Sequence, residues 1–146
     1  MILVTGGTGL LGSHLLYFLL KEGNKVRAIH RKSSNFNRVK KVFSYYDIDS
    51  EEQFNKIEWV EANITDVPVL ELAFKGITEV YHTAAFISFN PKHFSTLLKT
   101  NVEGTANIVN LCLSYQIKKL CHVSSIATLG AAKNEALINE ENEYNP

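Results

Sequence analysis

Short apolar runs alternate along this chain with longer segments in which apolar positions recur every three or four residues. Residues 1–5 form a nearly continuous apolar run and read as a buried strand. Over residues 10–22, Leu11, Leu15, Leu16, Phe18 and Leu19 mark one helix face, and Gly23-Asn24 closes it. Residues 25–30 read as a second strand. Residues 33–46 are polar and basic, which predicts a loop and then a helix. Residues 47–55 read as an acidic connection. A third strand is predicted over 57–61. A short helix follows over 67–74, with Asp66 as its N-cap and Pro68 in its first turn. A fourth strand over 79–83, a long helix over 93–115 and a fifth strand over 119–124 complete the pattern, and the tail from Ala131 is polar. Strands that alternate with helices predict a parallel sheet covered on both faces, and right-handed crossovers leave few topologies.

The link between the first strand and first helix is glycine-rich. "TGGTGLLG" places Gly6, Gly7, Gly9 and Gly12 within one turn. Glycine loses the most entropy on folding, so a cluster of four needs a reason. A strand–glycine turn–helix unit supplies one. It lets backbone approach a pyrophosphate and aims free N–H groups and the positive helix end at the phosphates. Two registers fit, Gly7-x-Gly9-x-x-Gly12 and Gly6-x-x-Gly9-x-x-Gly12. Gly6, Gly9, Leu10, Leu11 and Gly12 are therefore expected at a dinucleotide. The expected fold class is α/β, a doubly wound parallel sheet (Rossmann fold) with strand order 3-2-1-4-5.

"TGGTGLLG" resembles the extended short-chain dehydrogenase/reductase family, which includes nucleotide-sugar epimerases and dehydratases. It is closest in style to reductases similar to dihydroflavonol reductase and 3β-hydroxysteroid dehydrogenase. "HTAA" (His82, Thr83, Ala84, Ala85) resembles the family's cofactor-lining segment. "TNVEGT", containing Asn101, resembles its "NVxGT" block, and "VSSIATLG" its catalytic-serine strand. The resemblance covers nearly the whole chain. It implies that Thr83, Ala84 and Ala85 line the cofactor and that Asn101 holds backbone or water near the active site. It also implies that Ser125, with Ser124 as its neighbour, positions a substrate oxygen. Phe86, Ile87, Ser88 and Phe89 are expected at the substrate mouth. His82 is expected to pack rather than react.

The residue ending the second strand faces the adenosine ribose in such folds, and an acid there repels a 2′-phosphate. Arg31 holds that position, followed by Lys32, Ser33 and Ser34. An arginine fork suits a phosphate. The expected cofactor is NADP, with NAD as the alternative. At the end of the third strand the family's usual aspartate is replaced by Asn63, whose carbonyl can still accept from adenine, with the Ile64 N–H beside it.

The resemblance also implies a Tyr-x-x-x-Lys pair for proton transfer. No tyrosine lies four residues before Lys133, and Tyr144 is followed by Pro146. The chain is thus expected to be the N-terminal part of a longer oxidoreductase acting on a hydroxyl or carbonyl of a small-molecule substrate, inactive alone. Leu129, where sugar epimerases of the family often carry tyrosine, favours that reading. A nucleotide-sugar epimerase or dehydratase holding NAD, and a non-catalytic binding module, are the alternatives.

Composition narrows the field. The 146 residues suit one domain with a real core. Lys+Arg and Asp+Glu number 15 each, and this balance points to no nucleic acid and no membrane surface. No apolar run approaches a membrane span and no basic signal region leads the chain, so a cytoplasmic protein is expected. "NIT" at Asn63 is discounted as a glycosylation site on the same ground. Cys112 and Cys121 both lie in apolar stretches and are expected to be buried; the five histidines show no ligand spacing, so no metal is expected. The long helix carries apolar residues around more than one stripe, and a homodimer is expected to cover the second.

Overall fold

A computed structural model of the chain describes residues 1–46, 50–129, 137–140 and 142. The elements in order are β1 (Ile2–Thr5), α1 (Leu10–Lys21), β2 (Val26–His30), α2 (Phe36–Phe43), α3 (Ser50–Asn55), β3 (Glu58–Glu61), α4 (Val67–Phe74), β4 (Glu79–His82), α5 (Phe94–Leu97), α6 (Gly104–Ser114) and β5 (Lys119–His122). All five strands are parallel, in the order β3-β2-β1-β4-β5. This is the doubly wound Rossmann arrangement expected from the sequence.

Alternation along β1 splits the core in two. Ile2 and Val4 face α1 and α2, where Leu16, Tyr17, Val39 and Phe43 bury against them. Leu3 faces the other side, with Leu70 and Phe74 of α4 and Ile108 and Leu111 of α6. β1 is buried on both faces, which is why it reads as a continuous apolar run.

The glycine turn is held by backbone contact. Gly6 has φ +72°, and a Cβ there would lie 2.6 Å from the Ala84 nitrogen. A Cβ on Gly12 would lie 2.2 Å from the Gly6 carbonyl oxygen. Neither position has room for another residue. Gly7 turns away, toward Leu16 and Ala28.

Several expectations are corrected. Ser50–Asn55 is a helix, not an acidic connection. Glu51 and Glu52 sit in its first turn, where negative charge suits the helix dipole, and they pair with Lys40 and Lys56 at 2.8 Å. Residues 47–49 lie outside the described residues. Asp66 occupies the N-cap position of α4 but makes no side-chain cap bond. The nearby turn is capped by Asn63, whose Oδ1 accepts from the Thr65 N–H at 3.2 Å. Cys112 is buried, and burial pushes its thiol up to about 11, but Cys121 is exposed. Its strand, β5, is hydrogen-bonded to β4 on one edge and has four exposed residues. The long helix begins with a 3₁₀ turn (Pro91–His93), and its Leu98–Glu103 stretch widens into π-type turns before α6. Dihedrals stay helical across both junctions, so the axis continues. Apolar periodicity cannot show such a widening, which often marks functional positions.

The Gly12 contact generates a test. Gly12→Ala forces backbone apart at the start of α1 and should cost at least ~3 kcal/mol or prevent folding. Urea unfolding followed by far-UV circular dichroism measures it; an unchanged midpoint contradicts the packing described.

Candidate cofactor-binding site

The carboxyl ends of β1, β2, β3 and β4 open onto one cleft of about 790 Å³, within the range of small-molecule sites. It lies where the strand order reverses about β1, the place such sheets bind ligands.

One end is the glycine turn. Gly6 and Gly9 line the cleft, which fits the Gly6-x-x-Gly9-x-x-Gly12 register. Gly9 is the N-cap residue of α1 and offers no side-chain cap, and no acidic residue stands in the first turn. The first N–H groups of a helix have no partner within it. The turn therefore presents backbone donors and the positive helix end to an anion. Leu10 and Leu11 are 76% and 53% exposed and stand outside the lining, so any contact of theirs runs through backbone. Gly12 lies behind, packed on Gly6.

The second wall follows β2. Arg31 lines the cleft with Ser33, Ser34 and Arg38. The Arg31 N–H donates to Ser34 Oγ at 3.0 Å, and Ser34 N–H donates back to the Arg31 carbonyl at 2.8 Å. Thr8 Oγ1 donates to the same Ser34 hydroxyl at 3.3 Å, tying this turn to the glycine turn. Arg38 lies in the first turn of α2, whose N-cap Asn35 accepts from Asn37 N–H. Lys32 is exposed and outside the lining. Asn63 and Ile64 form the far wall, after β3.

The opposite wall follows β4 and contains Thr83, Ala84 and Ala85. Thr83 Oγ1 donates to the Thr5 carbonyl at 2.7 Å, and Ala84 N–H donates to Thr5 Oγ1 at 3.3 Å. His82 is 1% exposed behind this wall. Its Nδ1 lies 2.6 Å from Thr5 Oγ1 and its Nε2 lies 3.0 Å from Thr105 Oγ1. Thr5 Oγ1 also accepts from Ala84, so each ring nitrogen of His82 meets a threonine hydroxyl, and one of these hydroxyls ties the ring to the β4 wall. Burial, and secondarily the stacked His122 ring at 5.2 Å, push His82 down to about 4. It packs as expected.

Among the described residues the cleft lining contains Arg31, Arg38 and Lys99 and no carboxylate. Three cations, a bare helix N-terminus and a glycine cradle fit a phosphate-bearing dinucleotide.

The sequence matches the family model described as NAD dependent epimerase/dehydratase family over residues 2–146. The chain belongs to this family. Among curated relatives it is 30% identical over 128 residues to sterol demethylase protein B of Methylococcus capsulatus, covering 88% of this chain and 35% of that protein. It is 27% identical over 145 residues to the dihydroflavonol 4-reductase of Callistephus chinensis, covering 98% and 38%. Among solved structures, the UDP-glucose 4-epimerase of Thermus thermophilus in complex with NAD superposes with a TM-score of 0.76 at 24% identity, over 99% of this chain and 44% of that one. A short-chain dehydrogenase/reductase superfamily protein of Agrobacterium tumefaciens with bound NAD gives 0.78 at 24%, over 100% and 39%. Both share the fold. The chain spans about a third to two fifths of the length of the curated relatives it matches.

In this family member the residues expected to carry chemistry stand apart from the cleft lining. Asn101 lies in the π-type stretch. Its Oδ1 accepts from the Phe86 N–H and its Nδ2 donates to the Phe86 carbonyl, both at 2.8 Å, so it grips the backbone of the segment after β4. Ser124 and Ser125 lie just past β5 and are exposed. Ser125 caps a short turn, its Oγ accepting from the Ala127 N–H, and Ser124 Oγ lies 3.4 Å from Thr128 Oγ1. Ile87 and Phe89 are exposed beyond the Phe86 clamp. Tyr144 and Lys133 lie outside the described residues. Sequence reading missed Arg38 and Lys99. Arg38 had a signal, since it stands within the first turn of a helix that starts just after Arg31. Lys99 had only its helical spacing from Ser95 and Thr96, which share the lining, and that spacing does not say which opening the face meets. Among the described residues no helix is long and apolar enough to cross a membrane, and no cluster of His, Cys, Asp or Glu could hold a metal.

The buried neutral His82 predicts an acid limb to stability. Its folded pKa lies below the unfolded value, so the unfolded chain takes up the proton first. Its contribution is present above about pH 6.5 and is lost as pH falls toward 4, by on the order of 3 kcal/mol. Urea midpoints between pH 7.5 and 4 should fall, and should fall less steeply in His82→Gln. Equal slopes would refute the assignment.

Proposed function

We propose that this chain is the NADP(H)-binding part of an oxidoreductase that reduces a carbonyl, or oxidises a hydroxyl, of a small organic substrate. The observation that carries the reading is the cationic cleft at the end of β2, free of carboxylates among the described residues. An acid there would repel a 2′-phosphate; two guanidinium groups and the start of α2 attract one. The relative named dihydroflavonol 4-reductase is in keeping with a reductase. A bound nicotinamide would supply or accept the hydride. The chain's own residues hold the nucleotide: the Gly6–Gly9 turn at the pyrophosphate, Arg31 and Arg38 at the 2′-phosphate, Asn63 and Ile64 at adenine, and residues 83–85 beside the nicotinamide half. In this reading Ser125, with Ser124 beside it, positions the substrate oxygen, and Asn101 fixes the loop that borders it.

The second reading is an epimerase or dehydratase of a nucleotide sugar with a retained NAD, favoured by the family description and by the UDP-glucose 4-epimerase neighbour. Calorimetry decides between them. NADPH should bind at least several-fold tighter than NADH, Arg31→Asp should invert the order, and Arg38→Ala should weaken NADPH by about tenfold while sparing NADH. Equal or better binding of NADH by the unmutated protein refutes the NADP reading.

A homodimer belongs to the same proposal. Phe94, Leu98, Val102 and Leu113 are exposed along the long helix while Ile108 and Leu111 are buried beneath it. A symmetric mate would cover the exposed stripe. Light scattering of the full-length protein at micromolar concentration should give a dimer mass that falls to a monomer on Leu98→Lys; a monomer before substitution rejects it.

A further inference from the structure

The two walls of the cleft stand on opposite sides of β1, yet one helical turn touches both. A Cβ on Gly104 would lie 2.6 Å from Ile64 Cδ1, so α6 lies hard against the wall that follows β3. One turn further, Asn107 Nδ2 donates to the Ile64 carbonyl at 3.0 Å. That bond takes up the carbonyl of a residue that lines the cleft beside the proposed adenine position. Between them, Thr105 Oγ1 meets His82 Nε2 at 3.0 Å. The contact runs on through His82 Nδ1 to Thr5 Oγ1 at 2.6 Å, and from there to the Ala84 N–H at 3.3 Å. Asn107 and Thr105 are not in the cleft lining, whereas Ile64 and Ala84 are.

We propose that Asn107 and Thr105 are positioning residues for the bound dinucleotide, Asn107 setting the adenine wall through Ile64 and Thr105 setting the opposite wall through His82 and Thr5. The inference rests on the reading of the cleft as a dinucleotide site. Sheet order separates the two roles. Asn63 and Ile64 follow β3 on the adenosine side, and Ala84 follows β4 across β1. A disturbance at Asn107 reaches the adenosine half of the ligand. A disturbance at Thr105 reaches the other half. Both hydrogen bonds are partly shielded from water, so a lost partner is not simply replaced.

The test is calorimetric titration with two probes, NADPH and 2′,5′-ADP, which is the adenosine half alone. If the unmutated protein prefers NADH, the pair becomes NADH and 5′-AMP. Asn107→Ala should weaken both probes by the same factor, about fivefold or more. Thr105→Val should weaken the whole cofactor and leave the half-molecule unchanged, with Thr105→Ser restoring wild-type binding. A purely structural role would lower the melting temperature of the ligand-free protein and leave no such split between probes. Equal losses for both probes in both variants, or no loss in either, overturns the proposal. If Asn107→Ala does not fold, Asn107→Asp keeps the volume while removing the donor, and failure of both assigns Asn107 to stability and overturns its part. Failure of the unmutated protein to bind any of the four probes overturns the dinucleotide reading and this inference with it. NADH preference overturns the NADP reading alone.

Discussion

The contact between Gly6 and Gly12 is the constraint on which the site depends. No atom fits between the Gly6 carbonyl and the Gly12 α-carbon, so the chain leaves β1 and enters α1 with almost no separation. That closeness brings the first turn of α1 over the carboxyl end of the sheet. Its unmatched N–H groups then point into the cleft rather than into water beside it. The left-handed turn at Gly6 also lets the backbone at Ala84 approach, which joins the β4 wall to the glycine turn. The glycine turn at the mouth of the cleft, the β4 wall and the packing of α1 therefore share one origin.

Much of this could be read from residues. β1 is apolar throughout because both its faces are covered, and the glycine spacing betrays the turn. Arg31 was legible because strand two has a sharp end. Other features were not legible for definable reasons. The charged α3 carries no apolar stripe, and exposed ion pairs leave no periodic trace. Asp66 looks like a cap because of its residue type, yet the turn is held by Asn63 three positions earlier. Cys121 looks buried because its neighbours are apolar, but exposure depends on what covers a strand, and β5 is an edge among the described residues. Lys99 shares one helical face with Ser95 and Thr96, but the spacing of a face does not say which opening that face meets.

His82 shows how a polar group can be legible as a motif and opaque as a role. "HTAA" marks the position, yet nothing local says that both ring nitrogens are met, one by a residue of β1 and one by a residue of α6. A buried imidazole so held is neutral and oriented, and it joins strand to helix at a depth where an unmatched polar atom is costly. The link spans residues 77 and 23 positions apart in sequence, so it forms only after the sheet and the long helix have met.

The cationic cleft has a consequence for the ligand-free molecule. Arg31, Arg38 and Lys99 share one opening without a counter-charge among the described residues of its lining. Their mutual repulsion is screened at physiological ionic strength over about 8 Å and is felt further in dilute buffer. Small anions in solution are drawn into the same opening, so phosphate or sulfate acts as a competitor and as a stabiliser at once. Binding of a phosphate-bearing ligand in such an opening would thus depend on the anions of the buffer as well as on the protein.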